Sequence, residues 1–222
     1  MKRAFTDWQQ TEVEDYFNIN LVFENETLNN WITVDNVHVG EEAIRTLEKL
    51  RKKASIYITT WNEDELTAYF ISDILALVDF NQIQYSGFIN RPVRITFEEL
   101  ELNGKIDFMV AMGRGVPKKP FFFLQVEGNE IPKEIGKFKP EKPSGDAIAQ
   151  ALLAMLFAQK ENDNNQPIYG GYINGRNWHF MILENNNYCI SEAYVSTKSD
   201  DLQQIYRILM ELKNRINLTI KG

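Results

Sequence analysis

A run rich in alanine and leucine, Ala147 to about Gln159, stands between two extended apolar runs, Phe121–Glu127 and Ile168–Ile173. The first of these alternates, with Phe123, Gln125 and Glu127 on one face and Phe122, Leu124 and Val126 on the other, which is the period of a strand. A helix between two strands is the crossover that parallel pairing demands, because a tight turn cannot join parallel neighbours. A sheet with helices packed on it is therefore the frame into which the rest of the chain must fit.

The flanking pattern supplies that frame. Pro92–Phe97 alternates, and Asn103-Gly104 reads as a hairpin turn leading into the strand Lys105–Ala111. Asn174-Gly175 is a second hairpin signal between Ile168–Ile173 and Asn177–Leu183, and Tyr188–Val195 is a further strand. Ala43, Ile44, Leu47 and Leu50 mark an amphipathic helix. Asn62-Glu63-Asp64-Glu65 is a capping box opening a helix with Leu66, Tyr69, Phe70, Ile74, Leu77 and Val78 on one face, ending near Asp79-Phe80. Leu202, Ile205, Ile208, Leu209 and Leu212 mark a closing helix. Leu21–Phe23 and Trp31–Val34 read as short strands, and Ser55–Thr60 as a strand or linker. Pro132, Gly136, Pro140 and Pro143 exclude a regular element over 130–143, after which Ser144 caps the Ala/Leu helix. The expected class is α/β (α+β), a central mixed sheet flanked by helices.

A chain of 222 residues with net charge -7 can bury a sizeable core, and as a whole repels nucleic acid and anionic membrane. Any polyanion must then meet a local basic patch. Lys118 and Lys119, with Lys133, Lys137, Lys139 and Lys142, put cations on the two loops flanking the Phe121 strand. The single cysteine, Cys189, excludes an intramolecular disulfide and a multi-thiolate zinc site, and fits a reducing, cytoplasmic setting. No apolar run reaches the roughly 20 residues that span a bilayer, and Met1-Lys2-Arg3 is not followed by the long apolar stretch expected of a secretory signal. His38 and His179 are isolated from other ligand-type residues, and no phosphate-binding glycine loop or nucleophile elbow is present.

The remaining chemistry is oxygen chemistry. If the strands carrying Asp107 and Gln125-Val126-Glu127 pair, two carboxylates and an amide oxygen converge at one end of the sheet. That donor set suits Mg²⁺ or Mn²⁺, and an ion there polarises phosphate and activates water.

An acidic helix start, a strand bearing Asp, an apolar strand with alternate polar residues and an Ala/Leu helix together resemble the PD-(D/E)XK nuclease superfamily. More narrowly, the chain is similar to a group of uncharacterised Bacteroidetes-type proteins with a degenerate form of that fold. The matching stretches are Trp61–Leu66, Lys105–Ala111, Pro120–Leu124, Gln150 with the run to Gln159, and Tyr169-Gly170 through Gly175–Trp178. The likeness covers about Thr60 to Leu212. It implies a restriction-endonuclease-like core over residues 41–222, with residues 1–40 as an N-terminal extension.

The resemblance also implies a Mg²⁺-dependent phosphodiesterase acting on DNA. Asp107 matches the first metal-binding aspartate, Glu63 and Glu65 the helical acid that assists it, and Gln150 a glutamine that positions the substrate backbone, with Lys118 and Lys119 as the basic rim. The superfamily's second core strand carries an acid, one spacer and a lysine. An ungapped match puts Val126 and Gly128 there; shifted by one residue, Gln125 replaces the acid and Glu127 the lysine. The catalytic cation is missing in either frame.

Each residue has a plainer reading beside this one. Asp107 faces solvent or caps a turn, Glu127 ends its strand on backbone N–H groups, and Glu63 and Glu65 serve the cap and helix dipole. Gln150 bonds a neighbouring loop, and the lysines are a solvated loop. The corresponding alternative function is a catalytically inactive module used for binding or assembly. Self-association through the aromatic N-terminal segment (Trp8, Tyr16, Phe17, Trp31) fits that reading. On family analogy, a restriction-system accessory role is a third possibility.

Overall fold

The computed structural model describes residues 2–128, 146–162 and 166–221; the irregular stretch over 130–143 and the Ser144 cap lie outside the described residues. In chain order the elements are β1 (Lys2–Ala4), α1 (Gln10–Phe17), β2 (Asn20–Leu21), α2 (Glu26–Ile32), α3 (Glu41–Tyr57) and α4 (Glu63–Leu66). A π-helical turn, Thr67–Ile71, joins α4 to α5 (Ser72–Val78). Then come β3 (Tyr85–Phe97), β4 (Leu100–Met112), β5 (Lys118–Glu127), α6 (Ala147–Asn162), β6 (Ile168–Asn174), β7 (Asn177–Glu184), β8 (Asn187–Ile190), β9 (Tyr194–Val195) and α7 (Ser199–Lys221).

Among the described residues these strands form one nine-stranded mixed sheet in the order β1-β4-β5-β6-β7-β8-β2, with β3 also on β4 and β9 on β7. The β5–β6 pair is parallel and α6 crosses between them, as the Ala/Leu run requires. One core layer packs α1 and α6 on the sheet through Trp8, Leu152, Met155 and Phe123. The other packs α2, α3, α5 and α7 through Trp31, Leu47, Ile74 and Leu209. Alanine is frequent in α6 because the helix lies close against strands: a Cβ on Gly170 would stand 2.6 Å from Met155 Sδ.

Four local expectations are corrected. Trp31 to Val34 is not a strand: Asn25 caps α2 by accepting the Leu28 N–H at 2.9 Å. Leu28 and Trp31, three apart, then share the buried helical face, and burial overrides β-propensity. The β-branched stretch from Ser55 continues α3 to Tyr57, because Ala54 and Ile58 extend its buried stripe. Asn103-Gly104 is not a turn; the β3–β4 reversal is at Glu98-Glu99, with Phe97 opposite Leu100. Gly104 lies within β4, where a Cβ would stand 2.3 Å from the Phe5 ring, so the glycine serves a distant aromatic. The single strand expected over Tyr188–Val195 is two, β8 and β9, pairing with different parts of β7.

The first forty residues join the same sheet. β1 runs parallel to β4 and β2 parallel to β8. Trp8 and Trp31 are buried, and Trp31 Nε1 donates to the Ile208 carbonyl at 3.1 Å. Tyr16 is exposed.

Candidate functional site

The sheet is interrupted at Asp107. On one edge of β4, β1 pairs with residues 101–103 and β5 with residues 108–112. Residues 104–107 lie in the gap between those partners. On the other edge, the residue opposite Asp107 is Asn90, whose φ of 51° is left-handed and breaks the pleat. The faces exchange here: Leu100, Leu102 and Ile106 pack in the α1/α6 layer, but so do Met109 and Ala111, while Phe108 and Val110 turn to the other layer.

Side chains carry the pairing across the gap. Asp107 Oδ2 accepts the Val126 N–H at 2.9 Å, and Gln125 Oε1 accepts the Asp107 N–H at 3.3 Å. Gln125 Nε2 donates to Gln150 Oε1 on the first turns of α6 at 3.4 Å. Asp107 is 5 % exposed and Gln125 is buried beside it.

Lys105 stands two residues before Asp107 on β4. Its Nζ lies 3.6 Å from Asp107 Oδ1 and 3.7 Å from Glu63 Oε1. Glu63 reaches this point because the end of β5 is pressed against the start of α4. A Cβ on Gly128 would fall 2.2 Å from the Glu63 nitrogen and 2.5 Å from the Asn62 carbonyl carbon, so only glycine permits the approach. The predicted capping box fixes the helix start: Asn62 Oδ1 accepts the Glu65 N–H at 2.9 Å, and Glu65 Oε2 accepts the Asn62 N–H at 3.0 Å. Glu65 is thereby a capping residue, whereas Glu63 is turned toward Lys105.

The electrostatics leave negative charge in excess, two carboxylates on one ammonium. Burial raises the Asp107 carboxyl above its ordinary range, against the lowering effects of the Val126 N–H and Lys105. Burial also raises Glu63, and the neighbouring Asp107 charge adds to it while Lys105 opposes it.

The other sequence-predicted residues lie elsewhere. Glu127 runs to the β6–β7 turn, where Asn174 Nδ2 donates to its Oε2 at 3.3 Å and the Gly175 N–H to its carbonyl at 2.9 Å. Lys118 and Lys119 open β5 at its far end, with Lys118 opposite Met112. At about 3.3 Å per residue they stand roughly 20 Å along the strand from Gln125. Lys133, Lys137, Lys139 and Lys142 are outside the described residues. His179 is held in the sheet, stacked on Tyr172 at 4.6 Å with Nδ1 facing the Ser191 carbonyl.

Lys105 is the residue that sequence reasoning passed over. Its signal was the one-spacer interval to Asp107, which puts both on the same side of one strand.

Among the described residues no three His, Cys, Asp or Glu side chains converge closely enough to form a metal cluster by themselves. A Mg²⁺ site does not need three, since that ion keeps several waters and is commonly held by one or two carboxylates with substrate phosphate. The Asp107–Glu63 pair, undercompensated and oxygen-only, fits such an ion. Among the same residues no helix is long and apolar enough to cross a membrane. No protein-family model matches the chain, and no curated protein matches it.

Proposed function

We propose that this chain is a PD-(D/E)XK-like phosphodiesterase that cleaves DNA with Mg²⁺ or Mn²⁺ at Asp107 and Glu63. The observation that carries the reading is the Lys105 ammonium between those two carboxylates. It supplies the lysine absent from β5, from a position two residues before the aspartate. A divalent ion bound by Asp107 and Glu63 supplies polarisation of the phosphate and a more acidic water.

The side chains divide the remaining work. The Lys105 ammonium has three N–H donors and no acceptor, so it orients a water and steadies negative charge on the phosphate. Asp107, gripped by the Val126 N–H, is fixed in direction before substrate arrives. Gln125 Nε2 donates to Gln150 Oε1 beside it, and in this reading Gln150 holds the substrate backbone. In this reading Glu127 belongs to the rim, through the β6–β7 turn.

Incubation of supercoiled plasmid with Mn²⁺ tests this. The wild type nicks the plasmid, and Asp107→Asn and Lys105→Met do not. No nicking by folded wild-type protein at any divalent-ion concentration removes the catalytic reading.

A second reading has its own support. Asp107 Oδ2 and Gln125 Oε1 both accept backbone N–H groups across the strand gap, a task that a non-catalytic binding or assembly module also needs. In that case Asp107→Asn keeps partner binding as well as stability, because the amide oxygen still accepts the Val126 N–H.

A further inference from the structure

We propose that the outward face of α3 and α5 is the contact between two copies of this chain, which close a four-helix bundle across a two-fold axis. The inference stands apart from the nuclease reading and is tested without nucleic acid.

The face belongs to a helical hairpin. Right-handed helical backbone runs through Leu66, Thr67, Ile71 and Ser72, so α4, the π-helical turn and α5 form one rod over Glu63–Val78. Leu47, Leu50 and Ala54 on α3, and Phe70, Ile74 and Val78 on the rod, turn inward to the core. On the outside, Lys53 Nζ donates to the Tyr69 carbonyl at 2.9 Å. Further along, Thr46, Lys49 and Leu50 share a groove with Asp73, Ala76 and Leu77. Positions rise on α3 as they fall on the rod, so the two run antiparallel and Lys49 and Asp73 stand level on opposite walls.

The groove has a volume of about 490 Å³, with Leu50 and the partly buried Leu77 at its floor. Toward the end of α3, Tyr57 and Tyr69 both lie against Trp61. There Ile56 is 67 %, Tyr57 51 % and Tyr69 48 % exposed. Positions 49, 53, 56 and 57 share one side of α3. An apolar strip of this kind, bordered by charge, is the make-up of a protein contact.

Charge selects the occupant. Lys49 and Asp73 are exposed, and among the described residues neither side chain has an ion pair or hydrogen bond. A cation on one wall and an anion on the other make the face its own complement. Two-fold rotation about an axis along the groove lays α3 of each copy on the rod of the other, at the same level. Lys49 of one copy then meets Asp73 of its partner, and the reverse contact forms with it, as an isologous interface requires. The two groove floors close on each other as the centre of the bundle. A nucleic acid strand would call for one sign of charge along the face, and these walls carry both.

The size of the face sets the strength. The 17 residues of α3 span about 25 Å and two helices are roughly 20 Å wide. The resulting area, about 500 Å² per copy, lies below that of a standard interface. The dimer is therefore weak and dissociates in the micromolar range.

Sedimentation velocity over about 1–500 μM protein tests this. The wild type passes from monomer to dimer across that range. Lys49→Glu and Asp73→Lys each set like charges against each other at both contacts, and each dimerises at least about tenfold more weakly. An equimolar mixture of the two variants has opposite charges at both contacts and recovers the dimer to within about threefold of wild type. Misfolded variants would not give that recovery. A wild type that stays monomeric overturns the proposal. So does a dimer that neither variant weakens, or a weakening that mixing does not reverse.

Discussion

Replacing Lys105 with methionine is expected to move metal binding and catalysis in opposite directions. The ammonium stands 3.6 Å from Asp107 Oδ1 and 3.7 Å from Glu63 Oε1, so an incoming divalent ion competes with it for both carboxylates. Half of the Lys105 side chain is exposed, so a water-like dielectric applies, and each contact is worth about 1.1 kcal/mol. Together they cost the ion about 2 kcal/mol, a ceiling of roughly 30-fold in affinity, which screening at ordinary salt reduces to about fivefold. Lys105→Met is therefore expected to bind Mn²⁺ about five- to 30-fold more tightly in isothermal titration at fixed pH and salt. The same variant loses plasmid nicking, because nothing then steadies the phosphate charge. Unchanged or weaker Mn²⁺ binding would refute the reasoning, since Lys105 would not be sharing the ligands of the ion.

Three further outcomes follow from the geometry. Asp107→Asn preserves an acceptor for the Val126 N–H and is expected to stay within about 1 kcal/mol of wild type in urea unfolding, whereas Asp107→Ala strands that buried donor and costs about 1–3 kcal/mol; equal losses would deny the side chain its place in the ladder. Gly128→Ala forces β5 off the start of α4 and is expected to cost about 1–3 kcal/mol and to weaken the Mn²⁺ heat, while no effect on either would show that the close approach does not set Glu63. Trp31→Ala removes a buried ring of the shared core and is expected to cost about 3–5 kcal/mol; a loss below about 1 kcal/mol in chemical unfolding would mean that the N-terminal segment folds independently of the sheet.

What the sequence made legible was what short-range physics decides. Asn62 and Glu65 close their box within one helical turn, so their spacing sufficed. The alternation of Phe122, Leu124 and Val126 against Phe123 and Gln125 revealed a strand with two different faces, and the Ala/Leu run revealed a crossover close to it. Asp107 stood out because a carboxylate amid apolar strand residues must find partners. What stayed hidden depends on contacts distant in the chain. Gly104 imitates a turn but accommodates the Phe5 ring from the other end of the sequence. Trp31 looks like a strand residue until α7 offers it the Ile208 carbonyl. Lys118 and Lys119 are close to Gln125 in sequence and far from it in space, because a strand is extended. The approach of Glu63 to Lys105 rests on a missing Cβ at Gly128, which marks no pattern in the sequence.

The proposed chemistry requires that Asp107 and Glu63 together hold a divalent ion. A crystal grown with Mn²⁺, examined for anomalous scattering, tests it most directly. One strong peak is expected between the two carboxylates, with the Lys105 ammonium moved aside and the Val126 N–H still on Asp107. An empty map at that point, with Lys105 still bridging both acids at high Mn²⁺, would contradict it.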